Sequence, residues 1–98
     1  MSNKPVNFFD VTDKAMKHFG IENQVDKLIE ELEEFKKALT KYKECGPIAL
    51  SHVAEESADV NILMQPVIKA LNIESMVKDW TNAKLKRLDK LTNKSSVG

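Results

Sequence analysis

The chain is expected to be all-α, a helical bundle of about four helices completed by oligomerisation. Three observations lead there. Apolar residues return every three or four positions along most of the 98-residue sequence, the spacing that lines one face of an α-helix. No stretch alternates apolar and polar residues with period two, so no sheet is expected. Gly20 and the Gly46–Pro47 pair fall where long helices would stop and start.

The elements follow in order. A first helix is expected over about Val11–Phe19, with Asp10 able to cap it and Gly20 ending it. A long second helix should run from about Ile21 to Lys43. Its apolar positions are Ile21, Val25, Leu28, Ile29, Leu32, Phe35, Leu39 and Tyr42. Cys45–Gly46–Pro47 breaks it, and Pro47 suits the first position of a third helix. That helix extends to about Leu71 with Leu50, Val53, Val60, Met64, Val67 and Leu71 on one stripe, and Pro66 should kink it or end its first segment. Asn72 can cap a fourth helix, about Ile73–Leu91, which carries Met76, Val77, Trp80, Leu88 and Leu91.

Length allows one domain, 1–98, with its core at about 10–92 and a polar tail, 93–98, expected to fray. A hydrophobic fraction of 42% belongs to a globular chain rather than a disordered one. Fifteen basic and fifteen acidic residues cancel, which argues against a general affinity for nucleic acid or anionic membrane. The apolar stretches are too short to span a bilayer. MSNKPVNFFD has neither the basic start nor the apolar run of a signal peptide, so cytoplasmic residence is expected. Cys45 is the one cysteine, which excludes an intrachain disulfide, and no Cys/His grouping looks like a zinc site.

The most informative feature is a pair of acidic pairs, Glu31 with Glu34 and Glu56 with Asp59. Each has i, i+3 spacing, which puts both carboxylates on one side of a helix. The helices carrying them should fold against each other across a tight turn. Four carboxylates at such a seam repel unless a cation lies between them, and oxygen-only ligands suit a hard divalent ion such as Mg²⁺.

Helical phasing selects among neighbouring acids. At about 100° per residue, the second helix centres its stripe near Leu32 and Leu39. Glu31 then lies about 80° from that centre and Glu34 about 140° away, whereas Glu30 points almost directly outward. On the third helix Glu56 lies about 60° from the apolar centre and Asp59 about 120° away, with Glu55 facing outward. A Glu-rich helix is usually an ordinary solvated face. Glu56 weakens that reading, because a carboxylate on an apolar flank is unfavourable without a cation or hydrogen-bond partner.

Lys84 and Arg87 fall inside the apolar stripe of the fourth helix. Their long side chains can snorkel to solvent from there. An inward line of Trp80, Lys84 and Arg87 would instead suit a polyphosphate beside a metal, with Arg as a fork and Lys as a mobile point charge.

The segments KLIEELEEF, EESADVNILM and NAKLKRL resemble the EExxE, ExxD and NxKxxR signatures of MazG-like all-α nucleoside triphosphate pyrophosphohydrolases. The resemblance covers about Gln24 to Leu88. It implies metal binding by Glu31, Glu34, Glu56 and Asp59, and phosphate or substrate contacts by Asn82, Lys84 and Arg87. Asn82 fits less well, since phasing puts it opposite its helix's apolar stripe. The implied activity is Mg²⁺-dependent hydrolysis, with Mn²⁺ as a substitute, of a (deoxy)nucleoside triphosphate to monophosphate and pyrophosphate, serving to cleanse the nucleotide pool. The implied assembly is a homodimer or homotetramer whose helical units are completed by neighbouring subunits.

Within that chemistry Glu31 or Glu34 is the candidate base for the attacking water. Gln24 and Lys27 share the flank of Glu31 and Glu34 and are candidates to line the pocket, or are ordinary surface residues. His52 lies one turn before Glu56 on the same strip and reads as a surface histidine or a partner behind the ligands. Two alternatives stay open. One is a non-enzymatic helical dimerisation or regulatory module. The other is the same site acting on another pyrophosphate-containing nucleotide.

Overall fold

The computed structural model describes residues 5–97, with side chains described through residue 93. Four long helices follow one another: α1 (Phe8–Phe19), α2 (Ile21–Cys45), α3 (Leu50–Ala70) and α4 (Glu74–Val97). A single 3₁₀ turn, Gly46–Ala49, joins α2 to α3. No strand occurs among the described residues. No helix among them is long and apolar enough to cross a membrane.

The breaks are made by backbone chemistry. Gly20 takes φ 84° and donates its N–H to the Met16 carbonyl, which closes α1 and opens α2 without an interruption. Gly46 takes φ 74° and donates to the Tyr42 carbonyl. Nothing would crowd a Cβ at either position, so a side chain there would be opposed by the left-handed backbone alone. Pro47 occupies the start of the 3₁₀ turn, where its missing N–H has no helical partner to lose.

Two expectations about helix ends are corrected. Asn7, not Asp10, caps α1. Its side chain accepts the Asp10 N–H at 3.0 Å, and Asp10 sits in the first turn, where a negative charge suits the helix dipole. Asn72 caps no helix start. It takes φ 58° and ends α3, donating to the Lys69 carbonyl while Ile73 reaches back to Ile68. That pair of bonds is a Schellman motif, with asparagine filling the left-handed position glycine usually takes. Pro66 is buried inside an α3 that runs unbroken to Ala70. In addition, α4 continues through Val97, past the expected fray at 93, since no glycine or proline intervenes before Gly98.

α2 and α3 fold back on each other, and α1 lies against both. Leu28, Val60, Leu63 and Val67 form the buried centre, with Met16, Val25, Phe35 and Met64 packed around it. Lys69 of α3 fastens α1 through Asp13 at 3.2 Å and rests 5.0 Å from the centre of the Phe9 ring.

α4 departs from the expected four-helix bundle. Every described residue from Glu74 to Asn93 is exposed, and α4 packs little against the rest of the chain. The radius of gyration is 17.4 Å, against about 13 Å for a compact chain of this length. One chain therefore forms a three-helix unit with a protruding fourth helix. The consequence reaches α2: Leu32 and Leu39, the expected centre of its stripe, are half exposed because no helix covers that edge.

Candidate metal centre

The inward line of α2 is Gln24, Leu28 and Ala38, buried, with Glu31 and Phe35 half-buried between them, rotated from the stripe expected on Leu32 and Leu39. That rotation carries Glu31 further inward than phasing placed it, to a side-chain exposure of 12%. Across the seam, Glu56 lies on the same side of α3 as Val60 and Leu63 and is buried. Asp59 is half-buried one turn on. One carboxylate oxygen each from Glu31, Glu56 and Asp59 lies within 4.8 Å of the others.

Oxygens bound to one divalent ion stand about 3 Å apart, given bonds of about 2.1 Å. The three carboxylates thus need a contraction of at most about 2 Å, within the reach of side-chain torsions. The strongest sign that a ligand belongs here is Glu56 Oε2. It is shielded from solvent and has no hydrogen-bond partner. A buried carboxylate oxygen left unpaired is unfavourable, and a cation bound at this point would satisfy it. Burial pushes the Glu56 carboxyl above the ordinary range, and the Asp59 and Glu31 carboxylates push it the same way. His52 opposes that shift more weakly.

Lys27 brings a lysine ammonium to the cluster. Its Nζ lies 3.2 Å from Glu31 Oε1 and 3.8 Å from Glu30 Oε2. The hydrogen bond to Glu31, followed by the charges of Glu30 and Glu31, holds the lysine above its ordinary pKa. With all three carboxylates ionised, one ammonium leaves two negative charges, the deficit that a divalent ion neutralises.

Gln24 and Lys27 border two grooves beside the cluster. A groove of about 390 Å³ is bounded by Gln24, Lys27, Glu31, Asp59, Ile62 and Leu63. Gln24 and Lys27 also border an adjoining hollow of about 260 Å³ with Phe19 and Asn23. The Asn23 side chain donates to the Phe19 carbonyl at 2.7 Å and fixes the wall of that hollow. Sequence reasoning passed over Phe19 and Asn23, because nothing in their spacing distinguishes a groove wall from a helix end.

Glu34 stands outside the three-carboxylate group. It is turned toward Lys37, 3.3 Å away, and its side chain is 43% exposed. Glu30 and Glu55 are exposed, as phasing placed them. Asn82, Lys84 and Arg87 lie on α4, away from the acidic seam of their own chain, and all three are exposed. Lys84 sits 5.8 Å from the centre of the Trp80 ring. The stripe in which Lys84 and Arg87 were expected exists in sequence, but α4 has no helix of its own chain to bury it. Comparison of the chain with protein-family models, curated proteins and solved structures gives no match.

Proposed function

We propose that the chain is a Mg²⁺-dependent nucleoside triphosphate pyrophosphohydrolase, which cleaves a (d)NTP to monophosphate and pyrophosphate. The observation that carries the reading is the buried, unpartnered Oε2 of Glu56, a carboxylate grouped with those of Glu31 and Asp59. A bound Mg²⁺ would supply charge neutralisation for the phosphates and a lowered pKa for an attacking water. Glu31, Glu56 and Asp59 would hold it, with Glu34 joining after rotation away from Lys37.

The chain's own residues divide the remaining work. Of the two candidate bases, Glu31 is the better placed to accept the water's proton, since it lies in the cluster and Glu34 faces Lys37. Lys27, paired with Glu31, would exchange that partner for a phosphate oxygen at the same groove. Gln24 would orient the nucleotide beside it.

Lys84 and Arg87 would stabilise phosphate charge from the α4 of a second subunit. Trp80, Leu85 and Leu88 on α4 are each more than half exposed, as is Ile62 on α3. Apolar area of that extent is closed most simply by a two-fold copy, in a homodimer or a homotetramer built from it. A cytoplasmic housekeeping role in the nucleotide pool fits this chemistry. The exposed α4 face equally favours a second reading, a dimerisation or regulatory module without catalysis. A screen of canonical and damaged NTPs and dNTPs with Mg²⁺ and a pyrophosphate readout separates them, since activity on none favours the module.

A further inference from the structure

Gln24 is 8% exposed, yet its side-chain amide makes no hydrogen bond or ion pair among the described residues. An amide carries two donors and an acceptor, and amides buried to this degree are usually paired. The side chain lines both the groove beside Glu31 and Asp59 and the adjoining hollow walled by Phe19, Asn23 and Lys27. We propose that this hollow is a nucleobase subsite, in which the Gln24 amide reads the hydrogen-bonding edge of the base and the Phe19 ring supports its face. Its place rests on the reading of the groove as the metal and phosphate end of the same nucleotide.

The chemistry changes from one opening to the next. Glu31 and Asp59 stand in the wall of the groove, whereas the hollow is lined by a phenyl ring, two amides and Lys27, with no carboxylate. That lining has no charge to hold a metal, and its one ammonium is already paired with Glu31 at 3.2 Å. A flat, neutral ligand with donors and acceptors along its edge fits it, since glutamine matches such an edge with one donor and one acceptor. Phe19 is 53% exposed and meets the His18 ring only edge to face, with centres 4.7 Å apart at 86°. Ring surface is therefore left on which a base can stack. The 2.7 Å bond from the Asn23 side chain to the Phe19 carbonyl ties the end of α1 to α2 across Gly20, so ring and amide share one wall. Gln24, Lys27 and Glu31 follow at i, i+3 and i+7 along one side of α2, about 10 Å from first to last at 1.5 Å per residue. That span leaves room for a sugar between a base at Gln24 and phosphates at the carboxylates.

Nucleoside monophosphates keep the base without the scissile bond, and ribose 5-phosphate lacks the base, so comparing them isolates the hollow. The test titrates UMP, CMP, AMP, GMP and ribose 5-phosphate, each with Mg²⁺, into nitrogen-15-labelled wild type, Gln24→Leu and Phe19→Ala. Calorimetric heat and the side-chain amide signals are followed together. At least one nucleotide is expected to bind about tenfold or more tightly than ribose 5-phosphate and to shift the Gln24 amide pair. Phe19→Ala should weaken that nucleotide by about tenfold and leave ribose 5-phosphate unchanged. Gln24→Leu should narrow the spread of affinities among the four bases by about tenfold, with the far-UV spectrum and ribose 5-phosphate affinity unchanged. A packing role alone for Gln24 would leave that spread as it stands. This outcome overturns the subsite, as do nucleotides that bind no tighter than ribose 5-phosphate or do not bind at all. Pyrophosphate release that is indifferent to the base would remove the subsite and leave the hydrolase reading standing. Base-dependent binding without turnover of any triphosphate would instead remove the hydrolase reading and leave the subsite in a nucleotide-binding module.

Discussion

Replacing Glu31 with Gln, beside Glu30→Gln as its neighbour control, separates a cation site from an acidic surface. The Glu31 side chain is 12% exposed in the seam, and that of Glu30 is 63% exposed one position earlier. Glu31→Gln removes one of three converging carboxylates. Loss of a direct ligand should weaken divalent-ion binding by at least the roughly 100-fold seen at the upper end for groups behind the ligands. At a Mn²⁺ concentration of about 100 times the wild-type Kd, the ion stabilises wild type by about 2.7 kcal/mol. The same concentration stabilises the weakened variant by about 0.4 kcal/mol. At about 4–8 °C per kcal/mol for a domain of this size, the Mn²⁺-induced rise in Tm falls from about 11–22 °C to about 2–3 °C. Glu30→Gln, a surface change worth under about 0.5 kcal/mol, should keep the wild-type response. Thermal unfolding with and without Mn²⁺ reads all of this directly. An undiminished Mn²⁺ response in Glu31→Gln would refute the assignment of the seam as a cation site.

Other outcomes are expected. The folded Glu56 carboxyl lies above its ordinary value of 4.5, so between the two values the native state holds more protons than the unfolded one. Stability without metal should therefore be fullest below about that ordinary value and fall as pH rises through the folded pKa. Urea midpoints from pH 4 to 7 in chelator should show the decline in wild type and a flatter profile in Glu56→Gln; identical profiles would contradict it. Arg87→Leu changes an exposed α4 residue, so folding should survive while kcat drops by about 10²–10³-fold. Arg87→Lys should recover part of the loss, since a point charge cannot reproduce the guanidinium fork; a fully active leucine variant removes Arg87 from the mechanism. Trp80 is 66% exposed, and Trp80→Glu should shift a sedimenting dimer or tetramer toward monomer. A wild type that sediments as a monomer at micromolar concentration would leave α4 unexplained.

The helical class and the breaks at Gly20 and Gly46 were legible because period and punctuation are local signals. The inward placement of Glu31 and Glu56 was legible for a related reason: each lies within a helical turn of residues that must be buried. What sequence could not convey was which edge of each stripe finds a partner. Leu32 and Leu39 satisfy the 3.6-residue period as well as Leu28 does, yet α3 covers only the Leu28 edge. Nor does α4's own pattern reveal that no other helix of the chain covers it, so Lys84 and Arg87 were expected beside acids from which their own backbone separates them. Asn72 misled because one residue type serves both ends of a helix, and the sign of φ decides which. Glu34 shares the spacing of Glu31, but Lys37 one turn on offers it a competing charge.

The most direct test is to identify products by phosphorus NMR after incubating wild type and Asp59→Asn with the best substrate of the nucleotide panel and Mg²⁺. Asp59 is half-buried in the cluster, and asparagine keeps its shape while removing the charge. The expected result is equimolar nucleoside monophosphate and pyrophosphate from wild type, abolished by chelator and nearly absent in Asp59→Asn. Release of orthophosphate with a nucleoside diphosphate, or turnover undiminished by chelator and by Asp59→Asn, would contradict a metal-dependent pyrophosphohydrolase.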